Sequence, residues 1–211
     1  MLDTQYKINK KIDNEYRGQS NAFPATRYVG LIVASAGQSP RSTAVTSGQY
    51  TVPATLNGRL YKCTTSGTTG SGEPAWPTTA AGTVTDGTAV WTEQTTALQA
   101  GTIPEGSATG YARVAVASTE ANWSGTQGAG TTTASSGTNS GQISNNNAIS
   151  FAQVTTALGL VVGVGMWDAS TSGNAWEFAI QSSGTPTNIS ANISPNIAAA
   201  ALTIGYDLNG Q

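Results

Sequence analysis

Histidine is absent from the 211 residues, and cysteine occurs once, as Cys63. The first absence removes the commonest general base, every Ser-His or Cys-His nucleophile pair and the usual zinc ligand sets. The second rules out an intrachain disulfide and any cysteine-built metal site. Charge is scarce too: 9% of residues are charged, against about 25% in a typical soluble domain. The net charge of −2 gives no general attraction to nucleic acid. No apolar run approaches the ~20 residues that cross a bilayer, and MLDTQYKINKKID lacks the apolar core of a secretory signal. Neither nucleic acid nor membrane is therefore an expected partner, and no cofactor is expected.

What is present is small and neutral. Glycine occurs 25 times, Ser, Thr, Ala and Asn are abundant, and mean hydropathy is −0.17. Such a surface suits a subunit that packs against neighbours. The length allows one domain with a real core, or one that carries a small insert.

Residues 2–16 read as a helix: Ile8, Ile12 and Tyr16 share one face, Asp3 is available as N-cap and Gly18 as the stop. A helix this short with a narrow apolar stripe needs a surface to lie on, either the chain's own sheet or a neighbouring subunit. Lys7, Lys10, Lys11, Arg17 and Arg27 place five of the nine basic residues in the first 27 positions, which fits either a docking contact with an acidic partner or a solvated helix face. After a Pro-containing turn over 22–26, RYVGLIVA at 27–34 is a core strand.

Beyond the polar loop 38–49 the texture changes. Residues 50–93 form a compact unit with two hairpin signals, Asn57-Gly58 between 52–56 and 59–64, and Asp86-Gly87 between Val84 and 89–93. Between them SGTTGSGEPAWP is a bent, Pro-interrupted loop. Tyr61, Trp76 and Trp91 have two readings here: the core of a module too small to build one from aliphatics, or an exposed platform for stacking sugar rings.

A polar loop over 94–109 leads into Tyr111, Arg113, Val114 and Val116, with Arg113 expected to face outward into solvent. Residues 124–147, nearly all Ser, Thr, Gly, Ala, Asn and Gln, lack the apolar groups to bury a face and are expected as a long loop. Strands are expected at 148–151, 160–167, 175–181, 187–193 and 201–206. One helix followed by nine to eleven short strands belongs to a β-sandwich or barrel.

Chemistry is hard to assemble from these residues. The carboxylates Glu73, Asp86, Glu93, Glu105, Glu120, Asp168 and Glu177 contain one pair, Asp168 and Glu177, that borders a single hairpin as a glycosidase pair would; Asp168 is better explained as a turn former. GSGEPAW is not a phosphate loop, and Asn145-Asn146-Asn147 offers amides without the carboxylate that calcium needs.

The order IDNEYRGQSNAFPATRYVGL, GYARVAV, an NWS-type turn, NNNAISF, LGLVVGVGMWDASTSGN and a final L-x-I strand resembles tailed-bacteriophage structural proteins described as tail-fibre-like or minor-tail-like. Its landmarks are Arg17-Gly18, Pro24, 28–31, 110–113, 147–151, 165–168 and Gly173-Asn174. The unit LYKCTTSGTTGSGEPAWPTTAAGTVTDGTAVWTE is similar to a module found in phage fibres and adhesins, here interrupting the first section. The sequence departs from that pattern at 158–162, where relatives carry a Gly-Trp-Gly-like stretch, and in the length of the 125–147 loop.

The resemblance implies a mainly β, antiparallel sandwich, jelly-roll or Ig-like, with one amino-terminal helix and an inserted β-hairpin module. It divides the chain into an anchoring helix at 1–18, a main domain at 19–49 and 94–211, and the insert at 50–93. It implies a non-enzymatic virion component, of tail, fibre or head exterior, made in the host cytoplasm and held by other virion proteins. A homo-oligomer, with a trimer as the candidate number, follows from the same resemblance. The expected anchor is Lys7, Lys10, Lys11, Ile12, Tyr16 and Arg17. The alternative function is binding of a host surface glycan on Tyr61, Trp76 and Trp91.

Overall fold

The computed structural model describes residues 1–20, 23–124 and 141–206. A two-residue strand β1 (Leu2–Asp3) precedes helix α1 (Gln5–Tyr16) and the long strand β2 (Thr26–Ala34). Six short strands follow: β3 (Ala44–Val45), β4 (Tyr50–Thr51), β5 (Tyr61–Thr65), β6 (Gly67–Thr68), β7 (Thr83–Asp86) and β8 (Ala89–Glu93). Helix α2 (Thr95–Gln99) and β9 (Val114–Ala117) lead to β10 (Gly141–Ser144), β11 (Ile149–Ser150) and β12 (Gly159–Trp167). β13 (Ala175–Ile180), β14 (Thr187–Ile189), β15 (Asn196–Ile197) and β16 (Thr203–Tyr206) come last.

The fold is mainly β, and the named strands all pair antiparallel. The main sheet runs β1-β13-β12-β2-β9, with β14 pairing the start of β12. β2 and β12 lie at its centre and are covered on both faces, which is why they read as nearly unbroken apolar runs. On one face Val29, Leu31 and Met166 pack with Phe151, Val154, Leu158 and Ile189. On the other, Ile32, Ala34, Val162 and Phe178 pack with Val52, Leu56, Leu60 and Leu98. The layering is thus sandwich-like, with the main sheet between two apolar layers.

Residues of the 50–93 unit supply much of the second layer. Its own sheet, β4-β5-β8-β7, encloses a third cluster of Val45, Tyr61, Cys63, Ala89 and Trp91. The Asp86-Gly87 hairpin forms as read, with Asp86 opposite Ala89. The Asn57-Gly58 one does not: β4 is Tyr50–Thr51, and Thr51 pairs with Tyr61 across a longer connection. Val52 and Leu56 leave the strand path because they are buried against the main sheet. A second helix, α2, stands in the expected loop 94–109, fixed by Leu98 at 1% exposure. The expected loop 124–147 lies mostly outside the described residues; its end is β10, paired with β16 along Gly141–Ser144, and Ile143 packs on the core.

Helix α1 forms as the spacing predicts but turns the opposite way. Thr4, not Asp3, is its N-cap, accepting the Lys7 N–H and donating to the Ala175 carbonyl at 2.6 Å. Lys7 is buried at 3% exposure, with Nζ 2.7 Å from Glu177 Oε1 and 2.8 Å from Asp3 Oδ1. Tyr6 meets Trp176 edge-on at 5.7 Å. Glu177 on β13 thus draws a charged side of the helix inward, and the Ile8, Ile12 and Tyr16 stripe faces out at 38, 44 and 81% exposure. Removing one member of a buried ion pair leaves the other uncompensated, so Lys7→Ala is expected to cost about 3–5 kcal/mol. Lys11→Ala is expected to stay within about 0.5 kcal/mol, and Lys7→Met with Glu177→Leu to recover most of the Lys7→Ala loss; urea denaturation midpoints measure all three.

Candidate functional site

Gly165 of β12 lies directly opposite Gly30 of β2. A Cβ on Gly165 would come within 2.5 Å of the Trp167 indole, and one on Gly30 within 2.8 Å of the same ring. The two glycines therefore form a bare shelf, and Trp167, at 4% exposure, lies across it. A neighbouring aromatic covering strand glycines restores the cross-strand packing they lack. Over the ring sits the Arg113 guanidinium, 4.0 Å from the centroid, a cation–π contact.

Arg113 is held from three sides. Nε and Nη2 fork onto Glu105, with Nη2 to Oε2 at 2.7 Å, while Nη1 donates to the carbonyls of Ala169 and Ser172, both at 2.8 Å. Glu105 is in place because residues 104–106 pair with β2: Val33 N–H donates to the Pro104 carbonyl and Gly106 N–H to the Leu31 carbonyl. Tyr111 Oη accepts from Leu31 N–H at 2.8 Å and donates to Glu105 Oε1 at 3.1 Å. Burial first and the Glu105 carboxylate second push this phenol well above its ordinary pKa, so it remains a donor. The loop 168–174 is closed by Asp168, whose Oδ1 accepts Asn174 N–H at 2.7 Å and whose Oδ2 accepts the Asn174 amide at 3.1 Å. Gly173, at φ +69, completes that turn in the left-handed region.

Above this network lies a cleft of about 300 Å³, bordered by Glu105, Ser107, Tyr111, Arg113, Thr171 and Ser172 among others. Arg113 is the main correction at residue level: the expectation from sequence points it into solvent, and its side chain is 9% exposed. No local pattern signals this. The available signal is that 28–31, 110–113, 165–168 and Gly173-Asn174 are all landmarks of the resemblance, and they meet at this one place.

The family model described as Podophage GP4 fiber I protein gp80 matches residues 88–205, more than half of the chain. The chain belongs to this phage fibre-protein family. No curated protein matches it. The matched stretch of the fibre protein runs from the end of the 50–93 unit into β16 and contains Glu105, Tyr111, Arg113, Trp167 and the 168–174 loop. The landmarks before residue 88, including Gly30, lie outside it.

The other residues singled out from the sequence are dispersed in the fibre protein. Tyr61 and Trp91 are fully buried, and Trp76 leans on both, with ring centroids 4.5 and 6.2 Å away. The Tyr61 hydroxyl donates to the Pro77 carbonyl, and Trp76 Nε1 donates to Glu73 at 2.7 Å. Of the two readings of these rings, the module core describes Tyr61 and Trp91, which protein encloses, while Trp76 is half-buried against them. Of the residues expected as the anchor, Lys7 is buried in an internal ion pair with Glu177. Ile12 and Tyr16 are exposed, Arg17 pairs with Asp13 at 2.9 Å, and Lys10 lies 5.6 Å from the Tyr6 ring. Asp168 closes a turn and Glu177 holds Lys7.

The glycine shelf gives a direct test. On Gly30 a Cβ meets Glu105 Oε1 at 2.7 Å, Trp167 at 2.8 Å and the Tyr111 hydroxyl at 3.0 Å. Gly30→Val is therefore expected to destabilise by about 1–3 kcal/mol, as overpacking does, and to change the near-ultraviolet circular dichroism of Trp167. Arg113→Lys, which loses both the fork and the stack, is expected to lower the urea midpoint while leaving the far-ultraviolet spectrum unchanged.

Proposed function

We propose that the chain is a non-enzymatic structural subunit of a tailed-phage fibre or tail, docked on other virion proteins through the outward face of α1 and present as a homo-oligomer. The observation that carries the reading is the orientation of α1. A solvent-facing helix ordinarily buries its apolar stripe and shows its charges; this one ties Lys7 inward to Glu177 and leaves Ile8, Ile12 and Tyr16 outside. An apolar stripe held outward by an internal ion pair is a surface awaiting cover. Lys11, Glu15 and Arg17 follow it along the helix sequence. The family description favours a fibre over a head decoration, and the low charge of the chain agrees with surfaces buried between subunits.

Deleting 1–18 would not test this cleanly, because it would also strip Thr4, Tyr6 and Lys7 from β13. Ile8→Ser with Ile12→Ser and Tyr16→Ser touches only the outer face. The purified triple variant is expected to melt as the parent does and to be missing from particles when supplied in trans to a phage lacking the gene. Incorporation at the parental level, measured by quantitative mass spectrometry of purified particles, would remove the docking role of α1.

A further inference from the structure

The inner face of α1 meets β13 at a place that the outward stripe does not use. Asp3 of β1 and Glu177 of β13 are direct cross-strand partners, two carboxylates in opposed positions where like charges are unfavourable. Lys7 joins them, with Nζ 2.7 Å from Glu177 Oε1 and 2.8 Å from Asp3 Oδ1. The Lys7 and Glu177 side chains are 4 and 5% exposed, and that of Asp3 is 27% exposed. A β-bulge presents the buried acid: Met166 faces Glu177 and Trp167 faces Ala175, which leaves Trp176 as the extra residue of β13. Bulges re-aim side chains and occur often beside reactive sites. Trp176 itself is 2% exposed and is covered by Tyr6 and Phe23.

An ion pair accounts for only part of this arrangement. Glu177 Oε2 is buried and, among the described residues, accepts no hydrogen bond, whereas a buried carboxylate kept as an anion ordinarily has its remaining lone pairs satisfied. An amine held against a carboxyl group in a closed site is also the starting geometry for amide formation. Groups fixed in this way reach effective concentrations of about 10⁵–10⁸ M, and exclusion of water suppresses the reverse hydrolysis. With a single cysteine the chain has no internal disulfide, and a lysine–carboxyl amide is a crosslink that its composition does permit.

We propose that Lys7 and Glu177 condense to an intramolecular isopeptide bond, with Asp3 as the proton shuttle. The Lys7 ammonium passes a proton to Asp3 Oδ1, the freed Nζ lone pair attacks Glu177 Cδ, and the Nζ–Cδ bond forms as the Cδ–Oε2 bond breaks. Nζ gives up two protons in all, both carried by Asp3 to the departing oxygen, which leaves as water; nothing is oxidised or reduced and no co-reactant is consumed. Oε2, the oxygen that no group holds, is the one that departs, and Oε1 stays as the amide carbonyl. Asp3, the most exposed of the three, gives the water its way out. The ion pair, whose loss the Lys7→Ala comparison measures, is the state before condensation. The bond then ties α1 to β13 through its inner face, so it stands or falls apart from the docking role of the outer face.

The test is the intact mass of the full chain, followed from cell-free synthesis through prolonged incubation. The parent chain is expected to become lighter by the mass of one water, and tandem mass spectrometry of a chymotryptic digest to show a branched peptide that joins Lys7 to Glu177. Lys7→Arg, which keeps the charge and lacks the nucleophilic amine, is expected to retain the full mass while its circular dichroism matches the parent. Asp3→Ala is expected to slow the loss of water by about 10²-fold or more, as removal of a proton-transfer group does. A parent chain that stays at full mass, or a branch from Lys7 to Asp3 in place of Glu177, would overturn the assignment. So would an equal loss of water in Lys7→Arg, as imide formation at Asp86-Gly87 would give, or an unchanged rate in Asp3→Ala. The branched peptide is sought in the parent chain, so the first two outcomes are independent of how any variant folds.

Discussion

The shelf made by Gly30 and Gly165 is the constraint on which the rest of the sheet's functional edge depends. Two side chains are given up at the centre of the main sheet, where each would normally contribute to packing, and a single indole takes their place. That exchange sets the height at which Arg113 can lie, and Arg113 in turn fixes Glu105 and the 168–174 loop. A side chain at either glycine would lift the ring and break each later contact in sequence. The surface cleft is thus a consequence of what happens on two buried strands, which is why its residues come from positions far apart in the chain.

The scarcity of charge has a related explanation. Besides Arg17, which pairs with Asp13 at the exposed end of α1, the basic residues Lys7, Arg41, Arg59 and Arg113 are committed to carboxylates of the same chain: Glu177, Asp86, Glu93 and Glu105. Each pair fastens a segment with little apolar surface of its own. Lys7 fixes α1; Arg41 and Asp86, which also accepts from Gly70 N–H and Trp91 Nε1, fix the glycine-rich loop of the 50–93 unit. Glu93 joins Arg59 to Ala81 N–H and the start of α2. Such pairs cost desolvation and return geometry more than stability. In a chain short of large apolar residues outside the strands, that geometry holds the loops in register.

What can be read from the sequence follows the same division. β2 and β12 are legible within a residue or so because a strand buried on both faces must be apolar throughout, β13 because Glu177 alone breaks its apolar run, and the Asp86-Gly87 turn because that dipeptide suits its backbone. Expectation and structure part wherever a distant partner decides the outcome. Helix α1 has an apolar stripe by spacing, yet Glu177, far along the chain, determines which side turns inward. Arg113 looks like any exposed arginine until Trp167 and Glu105 are brought beside it. Val52 and Leu56 alternate like a strand but are claimed by the main sheet, and β10, made of residues with little strand preference, exists because β16 pairs with it. Of the candidate site, the residue types around the cleft are visible as landmarks of a resemblance, while their convergence is not.

The buried ion pair and the outward stripe give the amino-terminal arm a dual character. It belongs to the fold: β1 adds to the edge of β13, Thr4 bonds to the Ala175 carbonyl, and Tyr6 and Phe23 cover Trp176 from two sides. It also carries an exposed apolar stripe on the side away from those contacts. If the arm were only a tether, its inner face would need no buried ion pair; if it were only part of the core, Ile8 and Ile12 would be turned inward where their area is worth most. Both halves of the arrangement make sense together when the inner face holds the helix rigid and the outer face meets another subunit, since a pre-ordered helix loses less conformational freedom on docking than a mobile one.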